Sequence, residues 1–125
     1  MVRTPRQLKH RVWIGIDVGK GHHWATAVDD VGQRVWTRKV LNDEGEIMDA
    51  ITEGLGLAET VVWAVDVCGS ASALVLAGLT ARGQEVLYVP GRTVNSLTTG
   101  YRGEAKTDAK DSFVIAEAIR LRRDF

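Results

Sequence analysis

The alternation of apolar and polar residues in the first third of the chain predicts three β-strands. Residues 11–17 combine β-branched and aromatic side chains and end at a carboxylate followed by a glycine-containing turn. Residues 22–29 and 33–40 show the same strand character, separated by the turn Asp30–Gly32. Because the connections are short, we expect the three strands to pair as antiparallel hairpins.

Further along the chain, segments of helical periodicity alternate with short apolar runs. Helices are expected at about 43–54, 74–81, 91–97 and from 107 or 108 to the chain end, and strands at 60–66 and 85–89. Residues 60–66 are almost continuously apolar, which is typical of a central strand that is buried on both faces. Three hairpin strands followed by βαβ units predict an α/β fold, a mixed sheet with helices on both faces.

Composition adds limits to this architecture. The 125 residues fit one domain, which we place at 11–125 after a basic N-terminal arm at 1–10. No apolar run approaches the about 20 residues that span a bilayer, so no membrane role is expected. Cys68 is the only cysteine, which fits a cytoplasmic location. The last helix reaches Phe125 without a capping residue, so we expect the chain to be a fragment of a longer one.

Four aspartates occupy positions from which they can meet. Asp17 and Asp66 each end a predicted strand, and Asp108 and Asp111 are spaced to share one face of the last helix. Carboxylates this close repel one another unless cations separate them, and Mg²⁺ or Mn²⁺ prefers oxygen ligands. A pair of such ions can cleave phosphodiesters. Taken singly, each aspartate could instead be a turn or helix-cap residue, and it is the joint pattern that favours a metal site.

Other side chains suggest contacts rather than chemistry. The formal net charge is zero, but no acidic residue lies among the first 12 positions, and the last third is richer in basic residues. Contacts with the DNA backbone are expected from Lys20, Arg102, Lys106 and Lys110. His22 and His23 are adjacent in a strand, so they point to opposite faces and cannot chelate one ion together. One of them could line the pocket, but a surface position is expected. The four tryptophans all lie in predicted strands and are expected to pack in the core.

Four stretches carry a family resemblance. They are Gly15-Ile-Asp-Val-Gly-Lys20, Ala64-Val-Asp-Val-Cys-Gly69, Gly83-Gln-Glu-Val-Leu-Tyr-Val-Pro90 and Lys106-Thr-Asp-Ala-Lys-Asp111. Together they resemble the Piv/MooV-type insertion-sequence transposases, the insertion-sequence one-ten family, over about residues 11–120. The N-terminal domain of that family is similar to the RuvC Holliday-junction resolvase.

The resemblance implies an RNase H-like, RuvC-like fold and a catalytic role in DNA transposition. The family's carboxylate set, Asp, Glu, Asp, Asp, falls on Asp17, Asp66, Asp108 and Asp111, so that an aspartate one methylene shorter stands at the glutamate position. The family also carries a C-terminal domain with a nucleophilic serine, which we expect to lie outside this fragment. DNA, a structured guide RNA and further copies of the full-length protein are the implied partners. The fragment alone is then expected to be inactive.

Two other interpretations remain open at this point. The motif Gly-Ile-Asp-x-Gly-Lys also resembles the phosphate loop of actin-like and sugar-kinase ATPases, although those proteins need a second such domain. The chain could also be a non-catalytic nucleic-acid-binding or assembly module of a transposase. Replacing Asp17 with alanine in the full-length protein separates this module, which would lose assembly, from the catalytic domain, which would lose recombination alone.

Overall fold

The computed structural model describes residues 8–66, 69–89 and 108–122, in which five strands form a single mixed sheet. The strands are β1 Lys9–Asp17, β2 His22–Val28, β3 Arg34–Leu41, β4 Ala58–Asp66 and β5 Val86–Val89. The order across the sheet is β3-β2-β1-β4-β5. Strands β1 to β3 pair antiparallel, whereas β4 lies parallel to both β1 and β5. The predicted combination of antiparallel hairpins and parallel βαβ units is confirmed.

Three helices flank the sheet in the described residues. They are α1 Glu44–Leu55, α2 Ala73–Ala81 and α3 Asp108–Leu121, with a single 3₁₀ turn, Gly69–Ser72, leading into α2. Asp43 caps α1 as expected, since its carboxylate accepts a hydrogen bond of 3.1 Å from the backbone N–H of Glu46. The helix predicted at 91–97 lies outside the described residues. No described helix has the length and apolar character needed to cross a membrane.

Alternate residues of β1 and β4 face two separate cores, one on each side of the sheet. Ile14 points to the side of the sheet covered by α1 and α2, where it is fully buried with Trp63 and Leu79. On the opposite side, Ala64 packs with Ile115 and Ile119 of α3. Helices therefore cover both faces, as the sequence predicts, and α3 alone covers one of them among the described elements.

Helix α3 lies unusually close to the sheet at Gly15. A Cβ atom built on this glycine would come within 2.4 Å of two backbone atoms of α3, the nitrogen of Ala116 and the carbonyl oxygen of Ser112. Next to this contact, the Ser112 hydroxyl lies 2.6 Å from Oγ1 of Thr26, which in turn is 3.3 Å from Oγ1 of Thr37. The missing side chain and the hydroxyl chain together fix where α3 rests on the sheet.

The other end of α3 is tied to the β2–β3 hairpin. Oδ1 of the buried Asp29 accepts hydrogen bonds from the backbone N–H groups of Val31 and Gln33, at 3.1 and 2.9 Å. Arg120 of α3 donates to the carbonyl oxygen of Asp30 at 3.3 Å. These contacts hold the helix along its length, so that its first turn has a defined position over the sheet.

Candidate active site at the carboxyl edge of the sheet

Asp17 and Asp66 are the last residues of two neighbouring parallel strands. The registered pair Ile16 and Val65 directly precedes them, so the two aspartates lie side by side where β1 and β4 end. Adjacent strands are about 4.8 Å apart. Ile16 and Val65 both belong to the core under α1 and α2, so the next residue of each strand points to the opposite face, the one that α3 covers.

Asp111 approaches this pair from the first turn of α3. The pKa of Asp66 is raised above its ordinary value, first by burial of the carboxyl group and second by the negative charge of Asp111. One oxygen of Asp66, Oδ1, is itself buried. Asp66 thus neighbours Asp17 along the edge of the sheet and lies within electrostatic reach of Asp111.

The fourth predicted carboxylate is that of Asp108. Asp108 is the first residue of α3, but its side chain lies outside the described residues. Across the side chains that are described, no three His, Cys, Asp or Glu residues form a group that could hold a metal ion. The structure therefore brings Asp66 close to Asp17 and Asp111 without showing a full set of ligands.

The expected phosphate-binding residues are placed only in part. Lys20 is exposed in the turn that follows β1, next to the end of the strand that carries Asp17. Arg102 and Lys106 lie outside the described residues, and so does the side chain of Lys110, whose backbone is in the first turn of α3.

Residues beside Asp17 on the same sheet face were not singled out by the sequence. Asp17 is in register with Trp24 of β2, and Trp24 with Lys39 of β3, so the three side chains form a row at the carboxyl edge. Trp24 is half-buried and Lys39 is exposed. Trp63 and Trp36, by contrast, pack in the core under α1 and α2 as predicted. Only strand pairing reveals this row, because its members are far apart in sequence.

The two histidines differ sharply in their surroundings. His22 is half-buried, whereas His23 is fully enclosed beneath α1, which overturns the expected surface position for the latter. Nδ1 of His23 accepts a hydrogen bond of 3.1 Å from the N–H of Gly19, and its Nε2 lies 3.0 Å from Oδ1 of Asn42. Burial lowers the pKa of His23, an effect only partly opposed by the hydrogen bond with Asn42. Because Nδ1 accepts a hydrogen bond, the ring proton is assigned to Nε2, which then donates to Asn42.

The fold is shared with the RuvC resolvase. The structure of RuvC from Thermus thermophilus in complex with a Holliday-junction substrate superposes with a TM-score of 0.64 at 20% sequence identity. The match covers 86% of this chain and 90% of RuvC. A second T. thermophilus RuvC structure gives a TM-score of 0.61 at 20% identity, covering 84% of this chain and 90% of that one. At this identity the likeness establishes the RNase H-like, RuvC-like fold.

Sequence relatives point to mobile genetic elements. An uncharacterized 44.8 kDa protein of insertion element IS116 from Streptomyces clavuligerus is 56% identical over 115 residues, covering 92% of this chain and 29% of that protein. A protein of insertion element IS900 from Mycobacterium paratuberculosis is 44% identical, covering 90% of this chain and 29% of its own length. The chain thus spans less than a third of these relatives. A family model described as a transposase, of the DEDD type found in IS110, matches residues 14–125, and the chain belongs to this transposase family.

Proposed function

We propose that this chain is the metal-dependent catalytic domain of a DNA transposase or site-specific recombinase that acts on DNA phosphodiesters. The observation that carries the proposal is the position of Asp66, which neighbours Asp17 at the ends of two paired strands and lies within electrostatic reach of Asp111. Family membership and the RuvC-like fold support a nuclease-like domain independently of this geometry.

The residues present fit a divalent metal by their chemistry. All the candidate ligands, Asp17, Asp66, Asp108 and Asp111, are carboxylates, and Mg²⁺ or Mn²⁺ takes oxygen ligands. The pKa of Asp66 is raised first by burial and second by the charge of Asp111, and a bound cation would favour the ionised form of this carboxylate. When bound, such ions supply activation of the attacking oxygen and stabilisation of the leaving oxygen.

The protein's own part is to place these carboxylates and the DNA backbone. Asp17 and Asp66 come from strands in the middle of the sheet, which keeps their spacing fixed, while Asp111 depends on how α3 sits. Lys20, Arg102, Lys106 and Lys110 are proposed to contact DNA phosphates around the carboxylates. Such contacts add affinity and orientation without reading sequence.

The partners follow from the relatives and remain part of the proposal. The RuvC neighbour is in complex with a Holliday-junction substrate, and we assign branched or duplex DNA to this chain by analogy. Since the relatives are more than three times as long as this chain, the complete protein is proposed to add a C-terminal domain, a guide RNA and further copies of itself. It is proposed to act in the cytoplasm and, as this segment alone, to recombine nothing.

Calorimetric titration of Mg²⁺ and Mn²⁺ into the chain tests the metal site. Millimolar or tighter binding in the wild type is expected to be abolished by Asp17→Ala and by Asp111→Ala, because the two residues come from different segments of one site. Asp49→Ala provides a matched control, since this aspartate is exposed on α1, on the other side of the sheet. Binding that survives both site substitutions, or that Asp49→Ala weakens equally, contradicts the assignment.

Recombination by the full-length protein then separates catalysis from assembly. The Asp17→Ala variant is expected to lose DNA strand exchange while it still forms the oligomer and binds DNA, as measured by light scattering and gel shift. Loss of the assembled complex itself would instead make these carboxylates part of a scaffold.

A further inference from the structure

A buried histidine holds the turn that directly follows Asp17. This turn, residues 18–21, connects β1 to β2 and contains Gly19, Lys20 and Gly21. Two of its residues have no side chain, so little within the turn restricts its backbone. Its described hydrogen bonds come from His23 on β2 and Asn42 just after β3, two residues brought together by strand pairing.

The hydrogen bonds of this pair reach successive residues of the turn. Gly19 donates its N–H to Nδ1 of His23 at 3.1 Å, and Nε2 of the same ring donates to Oδ1 of Asn42 at 3.0 Å. The side-chain amide of Asn42 donates to the carbonyl oxygen of Lys20 at 3.5 Å, and its backbone N–H donates to that of Gly21 at 3.1 Å. Gly19, Lys20 and Gly21 are thus each held from outside the turn.

The His23 ring makes both hydrogen bonds only as the neutral tautomer with its proton on Nε2. His23 is 1% exposed, and its Nδ1 must remain unprotonated in order to accept from Gly19. An apolar side chain of the same size would fill the space but leave the Gly19 N–H and the Asn42 carbonyl oxygen without this partner. Gly19 also lies close to the next strand, since a Cβ at this position would come within 2.5 Å of the carbonyl oxygen of His22.

We propose that His23 and Asn42 are positioning residues, which fix the Gly19–Lys20 backbone and thereby the carboxylate of Asp17 and the amine of Lys20 toward a DNA phosphate. The inference rests on the proposed function, since it assigns a purpose to the turn beside the metal site. Neither residue touches metal or substrate. Their effect passes through the turn, which begins one residue after Asp17.

Three variants of His23 and Asn42 test this positioning role. His23→Leu keeps an apolar side chain of similar size but removes both hydrogen bonds, and Asn42→Ala removes the contact with the Lys20 carbonyl. His23→Asn keeps an acceptor near the position of Nδ1. Val40→Ala is the matched control, because Val40 is buried opposite His23 in the β2–β3 pairing and makes no hydrogen bond through its side chain.

Mn²⁺ affinity, measured by calorimetry well below the melting temperature of every variant, is the first readout. We expect His23→Leu to weaken binding about tenfold, and Asn42→Ala to weaken it less, because small misplacements of a preorganised site are costly. His23→Asn should recover much of the loss. Val40→Ala should destabilise the fold while leaving the affinity within about twofold of wild type.

Amide hydrogen exchange at Gly19 gives a second readout that needs no metal. Exchange should be at least about tenfold faster in His23→Leu than in Val40→Ala, because only the first loses the acceptor for this amide. Unchanged exchange at Gly19 in His23→Leu, or an equal loss of Mn²⁺ affinity in Val40→Ala, would contradict the positioning role of His23 and Asn42. Mn²⁺ binding that Asp17→Ala abolishes and His23→Leu leaves intact rejects the positioning role alone, whereas no binding in the wild type rejects the metal site as well.

Discussion

Replacing Gly15 with alanine tests whether the proposed metal site depends on the close packing of α3 against the sheet. The new Cβ would lie 2.4 Å from the nitrogen of Ala116 and from the carbonyl oxygen of Ser112, and 2.9 Å from Cβ of Ile115. The first two are backbone atoms of the helix, so no side-chain rotation relieves the contact. Reaching an ordinary separation of 3.4 Å requires α3 to move about 1 Å away from the sheet.

This displacement has an energetic and a functional consequence. Overpacking a core typically costs about 1–3 kcal/mol, and we expect the upper half of that range because rigid backbone is the obstacle. Helix α3 carries Asp111, so a shift of about 1 Å also moves this carboxylate away from Asp66, and a misplacement of that size can cost about 100-fold in activity. Gly15→Ala should therefore lower both the free energy of unfolding and the Mn²⁺ affinity.

Two other glycines provide controls for these effects. Gly21→Ala should change neither quantity, since a Cβ there meets nothing within 4 Å. In Gly54→Ala the Cβ would lie 2.7 Å from Cη2 of Trp63 and 2.8 Å from Cδ1 of Ile14, on the side of the sheet away from α3. Gly54→Ala should lower the free energy of unfolding, although the higher helix propensity of alanine offsets about 1 kcal/mol of the loss. Its Mn²⁺ affinity should remain that of the wild type.

Urea unfolding and Mn²⁺ calorimetry on the three variants distinguish the outcomes. Wild-type stability of Gly15→Ala would show that α3 can yield without cost, and the argument from close packing would be refuted. Equal loss of Mn²⁺ affinity in Gly54→Ala would show that general loosening, not the position of α3, controls the site.

Three further substitutions are expected to change the stability of the fold, two by lowering it and one by raising it. Ser112→Ala should lower the free energy of unfolding by about 1–2 kcal/mol in urea, because it leaves the Thr26 hydroxyl without its 2.6 Å contact. Burial alone raises the pKa of Asp29, but hydrogen bonds from neighbouring backbone N–H groups and the charge of Lys9 outweigh it and lower the pKa below 3.8. The resulting stability should therefore be present above pH 3.8 and be lost as the pH falls further, and Asp29→Asn should remove this part of the acid dependence in urea titrations. Asp66→Asn should raise the melting temperature of the metal-free chain at pH 7, since the folded state raises the pKa of this group, and it should end stabilisation by Mn²⁺ in the same thermal scan.

Much of the fold follows from the periodicity of the sequence. The strands predicted at 11–17, 22–29 and 33–40 begin and end within two residues of β1, β2 and β3, because alternation is enforced where one face is buried. The near-continuous apolar run at 60–66 predicts an interior strand, and this is confirmed, since β4 lies between β1 and β5. The order of the strands across the sheet was not predicted, because burial does not specify which strands are neighbours.

The candidate site shows the same division. The strand-end positions of Asp17 and Asp66 were predicted from the sequence and are confirmed, whereas the shared face of Asp108 and Asp111 stays a prediction, since the side chain of Asp108 lies outside the described residues. The part played by His23 could not be read, because its partners Gly19 and Asn42 meet it only through a turn and a strand pairing. The close contact at Gly15 was equally hidden, since a glycine inside a strand does not reveal which element approaches it.

The structural and catalytic interpretations of the helix aspartates need not compete. Asp111 lies in the first turn of α3, where the partial positive charge of the helix N-terminus favours a carboxylate whatever its function. The same position brings its charge near Asp66, whose pKa is raised first by burial and second by Asp111. Removing charge at Asp66 should stabilise the metal-free chain, whereas filling the space at Gly15 on the same sheet face should destabilise it. An increase in stability at Asp66 and a decrease at Gly15 would indicate that the Asp66 carboxylate costs stability and is kept for binding a cation, whereas Gly15 serves the packing of α3.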